Sequence, residues 1–129
     1  MTTWNELKRF LKSNYKIEAE KEAFIIINFE TVAGRTQRVG IRLGGNEVVG
    51  EWVAVQSPIA TYSAKNLEAA CRETAEKVVG GIVLIDDTIF LSDSIPLENL
   101  DTNEIEDPIL LVTIAADALE HKLTGRDAH

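Results

Sequence analysis

The chain has 129 residues, 45% of them hydrophobic, with one cysteine and a net charge of −8 from 13 basic and 21 acidic side chains. That length suits one domain with a core that needs no metal or disulfide staple, and a lone Cys71 forbids an internal disulfide. The acid excess argues against a nucleic-acid partner, because phosphate repels a net-negative surface. No run approaches the roughly 20 apolar residues of a membrane span and "MTTWNELKRF" carries no signal-peptide core, so a cytoplasmic protein without membrane attachment is expected.

In chain order, Thr3 and Glu6 make a capping-box pattern. Trp4, Leu7, Phe10 and Leu11 recur at helical spacing, which predicts a helix over Trp4–Ser13. The charged "KIEAEKE", Lys16–Glu22, reads as a short edge strand or a loop. "AFIIINFE", Ala23–Glu30, is a β-branched and aromatic run too short for a helix. "VAGR" turns the chain into "RTQRVGIRL", whose alternation places Val39, Ile41 and Leu43 on one face and Arg38, Gly40 and Arg42 on the other. "GGN" turns it again into "EVVGEWVAV", a strand expected to end at Ser57-Pro58, so the three strands form an antiparallel meander.

"SAKNLEAACRETAEKVVGG" predicts a second helix capped by Ser63 or Asn66. Leu67, Ala70, Cys71, Thr74, Ala75 and Val78 share one face, and Gly80-Gly81 end it. A hairpin of Ile82–Ile85 and Thr88–Leu91 follows. The last helix is expected to start with Asp107 as N-cap and Pro108 at its first position, run to about Leu123 and stop at Gly125, leaving "RDAH" as a frayed tail. The order α-β-β-β-α-β-β-α predicts a single α+β domain with an antiparallel sheet of about five strands and three helices.

Several strands are apolar on both faces. Ile25, Ile27 and Phe29 oppose Phe24 and Ile26, and Val83 and Ile85 oppose Ile82 and Leu84. An antiparallel sheet with helices on one side normally shows a polar opposite face, so the second face here calls for a cover: a helix, a second copy or a client segment. The last helix is likewise apolar nearly all round over Ile109, Leu110, Leu111, Val112 and Ile114, which fits a central core helix or a subunit or client contact.

Catalytic chemistry finds little footing. Asp86-Asp87 falls where a two-residue hairpin turn belongs, and adjacent turn residues seldom converge on one atom as paired-acid catalysis requires. Asp93, two residues past the apolar run, is expected to end the strand. His121 and His129 are far apart, and with one cysteine they do not make zinc-ligand spacing. A Cys71–His121 nucleophile pair is weighed against a Cys71 that falls on an apolar helix stripe. "LGGNE" and "VVGGI" are turn glycines without a phosphate-binding helix start. No enzyme activity, cofactor or metal is expected. Trp52, Arg38 and Arg42 are either a binding cluster or core tryptophan plus solvated arginines, the latter pairing with Glu47 or Glu51. Charge is also unevenly spread, +3 through Arg42 and −11 beyond it, which suits a charge-selective partner or head-to-tail association.

The stretches "RTQRVGIRL", "WVAVQSPIA", "NLEAACRETAEKVVGGIVLIDDTIFLSDSIPL" and "AADALEHKL", with the element order and acidic balance, resemble class I type III secretion chaperones and the related YbjN-type bacterial domains over Trp4 to about Leu123. That resemblance implies a homodimer without catalytic residues that binds a partly unfolded segment of a protein partner through apolar patches and sheet edges. The expected partner surface is Phe24, Ile26 and Trp52 with Arg38 and Arg42 at its rim. The expected dimer contact is the second helix around Ala70, Cys71 and Ala75. A carrier of a small apolar ligand is the alternative, and a hydrolase or metal enzyme using Asp86 and Asp87 stands behind it.

Overall fold

The computed structural model describes residues 2–31, 34–76, 80–98 and 100–124. It contains α1 (Trp4–Asn14), β1 (Ile17–Glu20), β2 (Phe24–Glu30), β3 (Thr36–Asn46), β4 (Gly50–Thr61), α2 (Ala64–Thr74), β5 (Gly81–Ile85), β6 (Thr88–Pro96) and α3 (Glu106–Thr124), with a 3-10 turn at Thr102–Ile105. The fold is α+β. Its strands form one open antiparallel sheet in the order β1-β2-β3-β4-β6-β5. The charged "KIEAEKE" is thus a strand, the sixth, bulged between Ile17 and Ala19 at the sheet edge.

Helix starts follow local chemistry. The Thr3 hydroxyl accepts from the Glu6 N–H to cap α1, and the Ser63 hydroxyl accepts from the Asn66 N–H to cap α2, choosing Ser63 over Asn66 as the cap. Asp107 is not an N-cap. The 3-10 turn, where the Glu104 carboxylate accepts from the Asp101 N–H at 3.0 Å, runs straight into α3, so Asp107 and Pro108 lie inside its first turn. Proline is tolerated there because the first-turn N–H groups have no intrahelical acceptor. Val32 and Ala33 of the expected turn, the predicted end of the second helix at Lys77–Val79, and the tail 125–129 lie outside the described residues.

All three helices lie against one face of the sheet. Trp4, Leu7 and Leu11 of α1 and Ile109, Val112, Ala116 and Leu119 of α3 share a buried cluster with Ile25, Ile27, Val39, Ile41, Val53, Val55 and Leu91 of the strands. α2 packs on α3 and β5 through Ala70. β1 is drawn to α1 by Glu20, which sits 3.1 Å from Lys12 and 3.2 Å from Lys8.

Strand β4 does not stop at Ser57-Pro58 but continues to Thr61, bulging between Pro58 and Ala60. Its backbone pairing with β3 ends at Gly40 and Gln56, and side chains take over there. Pro58 has no N–H to give the ladder. The Ser57 hydroxyl donates to the Arg38 carbonyl at 2.5 Å, while the Gln37 amide donates to Ser57 Oγ at 2.7 Å and to the Pro58 carbonyl at 2.8 Å. Gln37 and Ser57 are fully buried, which makes these bonds costly to lose.

At the β3–β4 turn, Gly45 has φ +101 and its missing Cβ would lie 2.0 Å from the Gly50 carbonyl oxygen, so no side chain fits. Asn46 Oδ1 accepts from the N–H groups of Val48 and Val49 and shapes the turn at Glu47–Val49, a segment expected to be strand.

Ser57→Ala is expected to destabilise the fold by about 2 kcal/mol, because it strips the Arg38 carbonyl and one N–H of the buried Gln37 amide of a partner at once. In urea unfolding the midpoint should fall with an unchanged slope; an unchanged midpoint would show that the ladder at Pro58 needs no side-chain bridge.

Candidate functional site

Strand register assigns every side chain to a face. Opposite the helices, Phe24 pairs with Arg42, Ile26 with Gly40, Gly40 with Gln56, and Pro58 with Phe90, while Val83 and Ile85 of β5 share the same side. These residues line a depression of about 340 Å³ running across five strands from Phe24 and Ile26 through Gly40, Pro58 and Phe90 to Ile85. Among the described residues no helix covers it. Its apolar side chains are half-buried only by one another and by the rim of Arg38, Arg42 and Gln56.

Gly40 forms part of the floor. A Cβ there would meet nothing closer than the Gln56 carbonyl at 3.9 Å, so packing within the chain does not demand glycine at this position. The absence of a side chain deepens the depression instead. Arg38 pairs with Glu18 of β1 at 2.9 Å, not with Glu47 or Glu51, and Arg42 is exposed. Gln56 donates to Ser92 Oγ at 3.2 Å. The rim is therefore polar and the floor apolar.

Of the predicted surface residues, Phe24, Ile26, Arg38 and Arg42 meet at this depression. Trp52 lies on the same face, four residues along β4 from Gln56 and outside the depression; its indole N–H donates to the Val49 carbonyl at 3.1 Å. The second helix is rotated from the predicted stripe. Ala70 is fully buried inside the chain, so it is not available to a second copy, whereas Cys71 and Ala75 are exposed. Asp86 and Asp87 form the β5–β6 turn, with Asp86 in the left-handed region at φ +52 and the Asp87 carbonyl accepting from the Tyr62 N–H at 2.8 Å. His121 is exposed on α3, and His129 lies outside the described residues. Among the described residues no three His, Cys, Asp or Glu side chains group as metal ligands, and no helix is long and apolar enough to cross a membrane.

Sequence reasoning missed Gly40, Gln56, Pro58, Phe90 and Ile85 as site residues. Alternation had placed Gly40 beside the two arginines, but the pairing of β4 with β6, which brings Pro58 to Phe90, is a long-range fact that no local pattern carries.

A second hollow, of about 590 Å³, opens between the end of β2 and α3. At its base Arg35 forms a bidentate pair with Asp117, at 2.8 and 3.2 Å, and Asp117 is only 4% exposed. The rings of Tyr15 and Phe29 meet edge to face, their centroids 5.4 Å apart. Burial first, and the charge of Glu106 second, hold the Tyr15 hydroxyl above its ordinary pKa of 10.0. α3 buries Ile109 and Val112 while leaving Leu110, Leu111 and Ile114 about half exposed, at 56%, 48% and 57%, so its all-round apolarity serves both the core and an outer surface. No family model matches the chain, and no curated protein matches it.

Two outcomes follow for the second hollow. Asp117→Ala removes the buried carboxylate from its bidentate pair with Arg35 and is expected to cost about 3 kcal/mol in urea unfolding; a loss below 1 kcal/mol would mean that solvent already screens the pair. Tyr15 keeps its proton longer in the folded chain than in the unfolded one. Its contribution is therefore intact below about pH 10 and is lost as pH climbs through the raised folded value. Tyr15→Phe should flatten the alkaline loss of thermal stability, and identical alkaline profiles would contradict the shift.

Proposed function

We propose that this chain is a homodimeric, non-enzymatic protein-binding module, chaperone-like, that captures an extended or partly unfolded partner segment on the open face of its sheet. The observation that supports this reading above all is the apolar depression across β2, β3, β4, β6 and β5, which no helix covers among the described residues. An isolated folded chain gains nothing from leaving Phe24, Ile26, Phe90 and Ile85 half-sheltered. A binding surface does, because extended-segment recognition needs apolar recesses on a rigid sheet, with backbone pairing at its edges. Strands β1 and β5 supply those edges.

The rim suits the same role. Arg38 and Arg42 are both exposed at the rim; Arg38 pairs with Glu18, and Arg42 stands ready for a carboxylate on the segment. The net charge of −8 keeps an apolar surface in solution. The resemblance to class I type III secretion chaperones and YbjN-type domains points the same way and supplies the expectation of a homodimer. Cys71 and Ala75 stay available on the outer side of α2 for a contact between copies, and Leu111 offers a second candidate position on α3.

Gly40→Val tests the proposal without harming the fold. A β-branched residue suits a strand interior better than glycine, and the site has room for it, so the thermal midpoint should stay level or rise. The added isopropyl group fills the floor. Fluorescence anisotropy with a reduced, alkylated unfolded protein as probe should show saturable binding to the wild type, weakened about tenfold or more by Gly40→Val and by Phe90→Ser. Equal binding by all three proteins, or none by the wild type, would end the proposal. Light scattering should give twice the chain mass, and a strict monomer would remove the homodimer from it.

A further inference from the structure

We propose that the hollow between Tyr15, Phe29 and the first half of α3 is a separate site for a small organic cation, a quaternary or protonated amine carried on a short alkyl or aryl group. Its volume of about 590 Å³ falls in the range of small-molecule sites. Its walls are apolar where a surface helix should be polar. Leu110 and Ile114 of α3 line it while 56% and 57% exposed, facing the ring pair of Tyr15 and Phe29. A bound alkyl group would cover both residues.

Charge decides which apolar ligand fits. Asp117 and Arg35 cancel in their bidentate pair, which fixes the lining guanidinium on its carboxylate. Among the described residues Glu106 and Asp107 then remain along the lining, on the first turn of α3. The positive end of α3 offsets roughly half a charge of that acidity, leaving the hollow clearly negative. Glu106 acts inside it, since its charge helps to hold the proton on Tyr15. A fatty acid or an organic phosphate would be repelled. A cation is drawn by the carboxylates, and Tyr15 and Phe29 in the lining add aromatic surface whose attraction for a cation strengthens as water leaves the site. The site lies on the helix-covered side of the sheet, so it operates whether or not the open face binds a partner.

The test is an NMR titration of the full chain with hexyltrimethylammonium, with hexanesulfonate as the anion of matched tail. The ammonium should give saturable shifts centred on Tyr15, Phe29 and Ile114, weaken with added salt, and bind about fivefold more weakly to Glu106→Gln/Asp107→Asn. Ile114→Lys, at an exposed helix position, places a fixed cation in the hollow and should abolish the shifts. The proposal falls if hexanesulfonate binds as tightly, if the charge-removing or Ile114→Lys variants bind like wild type, or if no saturable shift appears. Shifts centred instead on Phe24 and Phe90 would assign the ligand to the open sheet face and overturn this site while leaving that face's proposed role standing.

Discussion

The structure depends on one asymmetry: β2, β4, β5 and β6 carry apolar side chains on both faces, and the three helices among the described residues lie on the same face. Alternation along a strand gives each residue one face and denies it the other. Ile25 and Ile27 are therefore sealed under α1 and α3, while Phe24 and Ile26, their immediate neighbours, are not. A large apolar side chain left half-sheltered forgoes roughly 1 kcal/mol relative to full burial. The open face holds several such side chains, so a cover that supplied matching apolar atoms would recover that loss repeatedly across one surface.

Strand β4 links the two faces. Pro58 contributes to the depression on one side, while Ser57 and Gln37, immediately behind it, are buried with the core. A proline within a paired strand normally weakens a sheet. Here the side chains of Ser57 and Gln37 restore the connection to β3, which keeps the floor of the depression rigid at the point where the backbone ladder stops. Shape on the outside thus rests on a buried polar network on the inside, and the register that runs unbroken from Trp52 to Pro58 brings Phe90 opposite Pro58 before the bulge shifts the pairing at Ala60.

Much of this was legible from local patterns. Capping at Thr3 and Ser63, the alternation of Val39 and Ile41 against Arg38 and Arg42, the Asp86-Asp87 turn and the two-sided apolarity of Phe24–Phe29 are each local properties of a few residues. What escaped depends on distant partners. The charged Ile17–Glu20 becomes a strand because Lys8 and Lys12 of α1 hold Glu20 and because β2 offers an edge, neither visible within that segment. Pro58 reads as a strand end because the bonds that bridge it join groups 19 to 21 residues apart in sequence. The stripe of α2 was misjudged because small residues run nearly all round that helix: Ala70 packs inward while Cys71, the next residue, faces out. The hollow beside α3 escaped entirely, since Tyr15, Phe29, Arg35 and Asp117 come from four separate segments.

The central claim is that side chains of one parity are half open to solvent while their sequence neighbours are sealed. Carbene footprinting of the isolated chain, read residue by residue, tests it most directly. Phe24, Ile26 and Phe90 should label strongly and Ile25, Ile27 and Leu91 weakly, an alternation that a single chain cannot produce unless one face is bare. Equal protection of both sets, in a species with the mass of one chain, would mean that the sheet is covered from within and would contradict the account.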